Sequence, residues 1–235
     1  MGFRGVLFDK DGTLLDYYAT WMPVNWRVAR AASGGDPALA ERLLTAGGYD
    51  RGSGRIAAGS PLAAGNTRQI ARLFAEQLPG RGLEDLILQI DAIFVEAGRQ
   101  GAVAVPGLGA TLKRLRARGL ALGVATSDSE TGAYGSLAPF GILELMDFVC
   151  GYDSGHGEKP DPGPVEGFCR STGLAAGEVV VVGDNRHDMD MALAAGAGLR
   201  VGVLTGTSGH QDLAPHADHV LASIADLEAL LDGLG

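Results

Sequence analysis

The sequence predicts an α/β fold in which a doubly wound parallel sheet carries an inserted α-helical unit. Short apolar runs alternate with helical stretches over most of the chain, and this alternation is typical of a parallel sheet covered by helices on both faces. One long segment holds only amphipathic helical pieces. The length of 235 residues also exceeds what one average domain needs. We therefore expect one α/β unit and one helical insertion.

The predicted strands are short apolar runs that end in polar residues. The first covers residues 3–8 and ends abruptly at Asp9, as expected for a buried strand with polar side chains at its carboxyl end. Further runs of this kind cover residues 120–125, 148–150, 179–182, 199–204 and, more weakly, 219–221. Helical stretches between them end at Gly119 and Gly196, which is typical of left-handed C-terminal caps. Such sheets bind ligands outside the carboxyl ends of the strands.

The helical insertion interrupts this pattern after the first strand. Its four predicted helices cover residues 26–32, 37–46, 67–77 and 83–99. A loop rich in glycine and serine, residues 47–65, separates the second helix from the third. We therefore predict a core of residues 1–15 and 103–235, with an insertion of residues 16–102 that forms a cap of ordinary domain size.

The composition excludes several classes of protein. Nineteen Lys and Arg against 28 Asp and Glu give a net charge of −9, which argues against a nucleic-acid or anionic-membrane surface. The sequence contains neither a secretory signal nor an apolar run long enough to span a membrane. Cys150 and Cys169 lack metal-ligand spacing and are expected to be free thiols in a reducing compartment. We expect a cytoplasmic enzyme.

Two carboxylates stand at the end of the first strand. Asp9 and Asp11 flank Lys10, so both carboxylates can point to one side while Lys10 points to the other. Close carboxylates repel each other and require a cation or a shared proton. The alternative is a simple acidic turn, because Asp-Gly-Thr is ordinary turn chemistry. For Lys10 we expect an outward-pointing side chain.

A second acidic pair follows the strand at residues 179–182. Asp184 and Asp188 are four positions apart, so both can face one point if a helix starts there. The alternative is a helix cap without a catalytic role. Acidic clusters at two strand ends of one sheet nevertheless predict an oxygen-rich site suited to Mg²⁺.

Hydroxyl groups and a positive charge complete the candidate site. Thr126 and Ser127 follow a predicted strand, where hydroxyl and backbone N–H groups can bind an anion; a helix cap is the alternative. Lys159 lies in a loop stiffened by prolines, and the other two lysines are Lys10 and Lys113. In a chain that favours arginine, Lys159 suggests a compact point charge, although a solvated loop lysine is the alternative.

Together these segments resemble the four motifs of the haloacid dehalogenase-like phosphohydrolases, in order and approximate spacing. The motifs are Phe-Asp-Lys-Asp-Gly-Thr-Leu at residues 8–14, Thr126-Ser127, Lys159-Pro160, and Gly183-Asp184 with Asp188. The resemblance covers essentially the whole chain, because the insertion resembles the cap of the phosphoglycolate phosphatase-like branch. It implies a Rossmann-like core, a Mg²⁺ cofactor and a small phosphorylated metabolite as substrate.

The resemblance also implies roles for the matching residues. Asp9 would be the nucleophile that forms an aspartyl phosphate, and Asp11 the general acid and base. Thr126 would bind phosphate with Ser127 beside it, and Lys159 would hold both the phosphate and the nucleophile. The implied metal site takes oxygen donors from four aspartates: Asp9, Asp11 through its backbone carbonyl, Asp184, and Asp188 either directly or as a neighbour of the ligands. Lys10 departs from the family, because many relatives carry an apolar residue at this position.

Substrate choice is expected to depend on the insertion, since the four motifs handle only phosphate and metal. Arg51 and Arg55, in the loop of residues 47–65, are candidates for binding a substrate carboxylate or a second anionic group; the alternative is that both are solvated. The family resemblance implies phosphoglycolate as the substrate, and small sugar or polyol phosphates are almost equally favoured.

Other activities of the same superfamily need different sets of residues. A dehalogenase needs neither Asp11 nor the metal carboxylates, and a Schiff-base phosphonate hydrolase needs a lysine in the insertion, where none lies between Lys10 and Lys113. A sugar phosphomutase would retain all four motifs and remains the main alternative. A non-catalytic phosphate-sensing or assembly protein with the same fold is a further alternative.

Overall fold

The computed structural model describes residues 2–234 and contains a six-stranded parallel sheet. The strands in the chain are β1 (Gly5–Phe8), β2 (Tyr49–Asp50), β3 (Arg55–Ile56), β4 (Ala121–Ala125), β5 (Phe148–Cys150), β6 (Val179–Gly183), β7 (Leu199–Val203) and β8 (His219–Leu221). The order in the sheet is β5-β4-β1-β6-β7-β8, and β2 pairs with β3 separately. The first strand of the chain is therefore a central strand, with β4 on one side and β6 on the other.

Helices cover both faces of this sheet. They are α1 (Tyr17–Ala32), α2 (Pro37–Ala46), α3 (Pro61–Ala64), α4 (Thr67–Gln77), α5 (Leu83–Gly101), α6 (Leu108–Ala117), α7 (Glu130–Leu137), α8 (Gly163–Thr172), α9 (Arg186–Ala195), α10 (His210–Leu213) and α11 (Leu227–Leu234). Side chains alternate along β1, so Val6 and Phe8 pack in one apolar cluster with residues of α6 and α11, whereas Leu7 packs in another with residues of α8 and α9. The doubly wound α/β fold is confirmed.

Helices α1–α5 surround an apolar cluster of their own, which includes Val28, Leu43, Phe74 and Ile90. The first helix is longer than predicted, because the Asp16 carboxylate accepts a hydrogen bond from the Ala19 N–H at 2.9 Å and starts the helix well before residue 26. The predicted loop at residues 47–65 contains the two-residue strands β2 and β3 and the short helix α3. Elements of this length are too short to produce a periodic pattern in the sequence.

The chain passes between core and insertion at two adjacent segments. The Asp16 N–H donates to the Val103 carbonyl at 2.8 Å, and the Val105 N–H donates to the Leu14 carbonyl at 3.0 Å. Because these two segments are paired, the first helix of the insertion begins next to the end of β1, the central strand. Within residues 2–234, no helix has both the length and the apolar character that a membrane span requires.

Candidate active site

The carboxyl ends of β1, β4 and β6 meet at one cleft, because these strands are neighbours in the sheet. The cleft encloses about 670 Å³, including its opening to solvent. Seven core residues predicted for the site line it: Asp9, Asp11, Thr126, Ser127, Lys159, Asp184 and Asp188. The long-range topology thus brings together residues that are up to 179 positions apart in the chain.

Three of these carboxylates form a cluster around one ammonium group. Asp9, Asp184 and Asp188 each place an oxygen within 4.8 Å of the oxygens of the other two. The Lys159 ammonium donates to Asp9 Oδ1 and to Asp188 Oδ1, both at 2.6 Å. The Lys159 side chain is only 4% exposed, so both ion pairs are shielded from solvent.

The single ammonium does not offset all of this negative charge. Burial, together with the charges of Asp9 and Asp188, raises the pKa of Asp184 well above its ordinary value. Burial also raises the pKa of Asp188 to about 6, even though Lys159 lowers it. For Lys159, burial disfavours the charged form, but Asp188 and Asp9 outweigh it and raise its pKa. The cluster therefore favours a further positive charge.

A hard divalent cation fits this cluster. Asp9 Oδ2 is buried and has no hydrogen-bond partner among residues 2–234, and a buried oxygen of this kind is costly unless something binds it. The donors around it are carboxylate oxygens, which Mg²⁺ prefers. The Asn185 N–H donates to Asp188 Oδ2 at 3.0 Å and so orients that carboxylate. These residues suit a magnesium-like ion.

The segment after β7 contributes to the site and was missed in the sequence. The Thr207 N–H donates to Asp184 Oδ2 at 2.8 Å, and the Thr205 hydroxyl donates to the Gly12 carbonyl at 2.6 Å. A Cβ on Gly206 would lie 1.8 Å from Asp184 Oδ2, so this close approach requires glycine. The signal was a run of small polar residues directly after a predicted strand, like that at residues 126–128.

Thr126 lies in the turn between β4 and α7. Its hydroxyl oxygen accepts a hydrogen bond from the Asp128 N–H at 3.1 Å, and its own N–H donates to the Cys150 carbonyl at 3.0 Å. The hydroxyl hydrogen of Thr126 is thus available to a ligand in the cleft, whose wall also includes Ser127.

Lys10 does not point outward, and the expectation of a solvated side chain was wrong. Its side chain is 0% exposed, and its ammonium lies 2.8 Å from each carboxylate oxygen of Asp11 and 3.0 Å from Asp128 Oδ2. Lys10 directly follows the end of β1, which is a central strand with helices on both faces of the sheet, so neither side of the chain meets solvent there.

Asp11 is also bound from the insertion. The Trp21 indole N–H, on α1, donates to Asp11 Oδ1 at 2.6 Å, and the Trp21 ring lies 4.9 Å from the Lys10 ammonium. Burial raises the pKa of Asp11 to about 6, although the Lys10 ammonium lowers it. A carboxyl group with this pKa can both donate and accept a proton near neutral pH.

The insertion gives the cleft a largely aromatic and aliphatic wall. The side chains that form it include Tyr17, Trp21, Leu62, Ile70 and Phe94. The Tyr17 hydroxyl donates to the Leu62 carbonyl at 2.6 Å, and Asn66 Nδ2 donates to Glu158 Oε2 at 2.8 Å, which joins the insertion to the loop that carries Lys159. Tyr17 and Trp21 thus face the cleft, whereas Trp26 packs against Tyr49.

The structure does not bring Arg51 and Arg55 to the cleft within the part of the chain that it describes. The Arg51 side chain is 82% exposed and pairs with Glu41 at 3.1 Å. The Arg55 guanidinium stacks on the Tyr18 ring at 4.6 Å. The short β2–β3 hairpin directs this loop away from the site. In this arrangement of residues 2–234, neither arginine side chain lines the cleft.

We accordingly expect Arg51→Ala and Arg55→Ala to retain full activity. Because both side chains contact only the insertion and solvent, kcat/KM for the best substrate in a panel should stay within about twofold of the unchanged protein. The measurement is steady-state phosphate release by each single variant and by the double variant. A loss above about tenfold, with unchanged thermal stability, would show that the loop reaches the substrate during turnover.

Comparison with known proteins agrees with this geometry. The sequence-family model of the haloacid dehalogenase-like hydrolases matches residues 3–196 of this chain. A phosphoglycolate phosphatase of Yersinia pseudotuberculosis is 33% identical over 226 residues, which are 95% of this chain and 91% of that protein. A phosphoglycolate phosphatase of Escherichia coli is 30% identical over 208 residues, which are 82% of this chain and 78% of that protein.

Solved structures share the fold. A predicted phosphoglycolate phosphatase from Haemophilus somnus superposes with a TM-score of 0.74 at 22% identity, over 97% of each chain. A mutant CbbY from Rhodobacter sphaeroides in complex with xylulose-(1,5)-bisphosphate superposes with a TM-score of 0.71 at 21% identity, over 96% of each chain. This chain is therefore an enzyme that belongs to the haloacid dehalogenase-like hydrolases and resembles the phosphoglycolate phosphatases among them.

Proposed function

We propose that this protein is a Mg²⁺-dependent phosphatase that hydrolyses a small phosphate monoester through an aspartyl phosphate on Asp9. The main support is the buried cluster in which Lys159 pairs with Asp9 and Asp188 while Asp9 Oδ2 remains without a partner. The substrate would be phosphoglycolate, as in the names of the relatives, or a similar phosphorylated metabolite. The net charge of −9 suits a cytoplasmic enzyme that binds neither nucleic acid nor membranes.

In the first half of the reaction, the phosphoryl group moves to the enzyme. A carboxylate oxygen of Asp9 bonds to phosphorus while the bond from phosphorus to the ester oxygen breaks. The protonated Asp11 carboxyl donates its proton to the departing oxygen, so the product leaves as an alcohol and Asp11 becomes a carboxylate. Its pKa of about 6 allows a protonated fraction near neutral pH.

In the second half, water releases the phosphoryl group. The Asp11 carboxylate takes a proton from a water molecule, whose oxygen bonds to phosphorus as the bond to Asp9 breaks. The products are inorganic phosphate, the Asp9 carboxylate and a protonated Asp11, which restores the starting state. Lys159 and the Thr126 hydroxyl would hold the phosphoryl oxygens in both halves.

The metal would be held by Asp9, Asp184, Asp188 and the backbone carbonyl of Asp11. When bound, Mg²⁺ would supply positive charge against the phosphoryl oxygens and the crowded carboxylates. A bound cation would allow a site with this much negative charge to bind an anionic substrate.

The direct test is phosphate release from a panel of phosphorylated metabolites with Mg²⁺, ranked by kcat/KM. We expect turnover of at least one small monoester, its loss with a chelator and its recovery when Mg²⁺ is restored. A panel that includes phosphoglycolate, glycerol 3-phosphate and p-nitrophenyl phosphate covers three leaving groups: an alcohol that carries a carboxylate, a neutral alcohol and a phenol. Absence of phosphate release from all members, with metal bound, would contradict the proposal.

The metal affinity should depend on pH. Protons compete with the metal for the carboxylates, and the pKa of Asp188 is about 6. The dissociation constant for Mg²⁺ should therefore increase as the pH falls through 6, by up to about tenfold per pH unit for each competing proton. Calorimetric titration between pH 5 and 8 measures this. An affinity that is constant across the range would show that Asp188 does not exchange its proton for the metal.

A further inference from the structure

The buried Lys10 has no part in the proposed reaction, yet it contacts Asp11, which does. Its ammonium lies 2.8 Å from both carboxylate oxygens of Asp11, and its side chain is fully buried. Replacing an ordinary apolar residue by a buried ammonium is costly unless the charge is paired. Here the carboxylates of Asp11 and Asp128 both pair with the ammonium, so its buried charge is compensated.

Asp128 anchors the ammonium from the turn between β4 and α7. Its Oδ2 lies 3.0 Å from Lys10, while its Oδ1 accepts the Ser129 N–H at 2.7 Å and its own N–H donates to Thr126 Oγ1 at 3.1 Å. The Asp128 side chain is 8% exposed. Lys10 is thus held from the segment that also carries Thr126, which lines the cleft.

Trp21 contacts the same carboxylate from the insertion. Its indole N–H donates to Asp11 Oδ1 at 2.6 Å, and its ring lies 4.9 Å from the Lys10 ammonium. Asp11 is consequently bound by one donor from its own strand end and one from the insertion. A carboxyl group that must deliver a proton to one atom of the substrate gains from such fixation, because small displacements reduce proton transfer strongly.

We infer that Lys10 and Trp21 are positioning residues that fix the Asp11 carboxyl group for proton transfer, with Asp128 as the anchor of Lys10. This inference rests on the proposed function, in which Asp11 protonates the leaving group. Because Trp21 belongs to α1, full placement of Asp11 requires the insertion to be seated on the core.

The test compares two leaving groups in the variants K10M and W21F. An alkoxide requires the proton of Asp11 to depart, whereas p-nitrophenolate leaves as a stable anion and depends little on an acid. The comparison uses kcat/KM, which reports the first half of the reaction alone and so leaves out the later role of Asp11 as the base toward water. For the faster alkyl substrate of phosphoglycolate and glycerol 3-phosphate, kcat/KM should fall about 10- to 100-fold in each variant. For p-nitrophenyl phosphate, kcat/KM should change less than about threefold.

The matched control is Lys113→Met, which removes the exposed lysine on α6 and should change neither rate. A folding defect or loss of active enzyme would lower both rates by the same factor, so equal losses would overturn the inference, as would unchanged rates for both substrates. W21F removes the indole N–H donor but keeps an aromatic ring at the site. It therefore tests the inference even if K10M does not fold. If the unchanged protein hydrolyses neither type of ester, the proposed function itself fails.

Discussion

Asp9→Asn should reduce phosphate release by at least about a thousandfold, because the substitution removes the nucleophile and leaves the shape of the site intact. An amide oxygen carries no negative charge and cannot form the acyl phosphate. The Asp9 carboxylate is already oriented, since Lys159 binds Oδ1 at 2.6 Å while Oδ2 is without a partner among residues 2–234. Rapid quenching of the unchanged protein should trap a phosphoryl group on Asp9, and the variant should trap none.

The control for this variant is Asp36→Asn. Asp36 caps α2, accepting from the N–H groups of Ala38 and Leu39 at 2.9 and 3.0 Å, and asparagine caps a helix equally well. It makes the same chemical change at an exposed position of the insertion, so its activity should equal that of the unchanged protein. If Asp9→Asn retained a tenth of the activity, Asp9 would not be the nucleophile, and another carboxylate of the cluster would have to take that role.

The candidate site could be located from the sequence because its residues directly follow predicted strands. Asp9 and Asp184 each follow an apolar run that the structure shows as a buried strand, β1 or β6. In a parallel sheet all such positions lie at one edge, so their convergence follows from local pattern and fold class together.

What Lys10 points towards could not be predicted, because it depends on strand order. The run at residues 3–8 carries no sign that β1 lies between β4 and β6. At an edge strand the same lysine would reach solvent, whereas at the centre it meets Asp128, which is 118 positions away in the chain. Pairing at this sequence distance is a tertiary property, and periodicity within a short window does not contain it.

Trp21, Arg51 and Arg55 illustrate the same limit within the insertion. Trp21 reaches Asp11 because Asp16 starts α1 directly after the crossing from the core. Arg51 and Arg55 have the chemistry of anion binding, but the β2–β3 hairpin places them against Glu41 and the Tyr18 ring instead. For Arg51 and Arg55 the residue type indicated a possible role, and only the path of the backbone determined which residues face the cleft.

Lys159→Met should destabilise the metal-free protein and inactivate the metal-bound one. The substitution removes the ammonium that pairs with Asp9 and Asp188, and leaves these two carboxylates and Asp184 within 4.8 Å of one another. Breaking a buried ion pair by removing one member costs about 3–5 kcal/mol, which corresponds to a decrease in Tm of roughly 10 °C for a chain of this size. Thermal unfolding with a chelator present measures the loss.

Mg²⁺ should then restore stability but not activity, which separates the two functions of Lys159. A bound divalent cation offsets the repulsion among the three carboxylates, so the increase in Tm on adding Mg²⁺ should be larger for the variant than for the unchanged protein. The metal does not replace the ammonium that contacts the phosphoryl oxygens, and kcat should remain about 100-fold or more below normal. Lys113→Met, at an exposed position, should alter neither quantity. If Lys159→Met were as stable without metal as the unchanged protein, the carboxylates would have to be protonated instead of paired, and the electrostatic account of the cluster would be wrong.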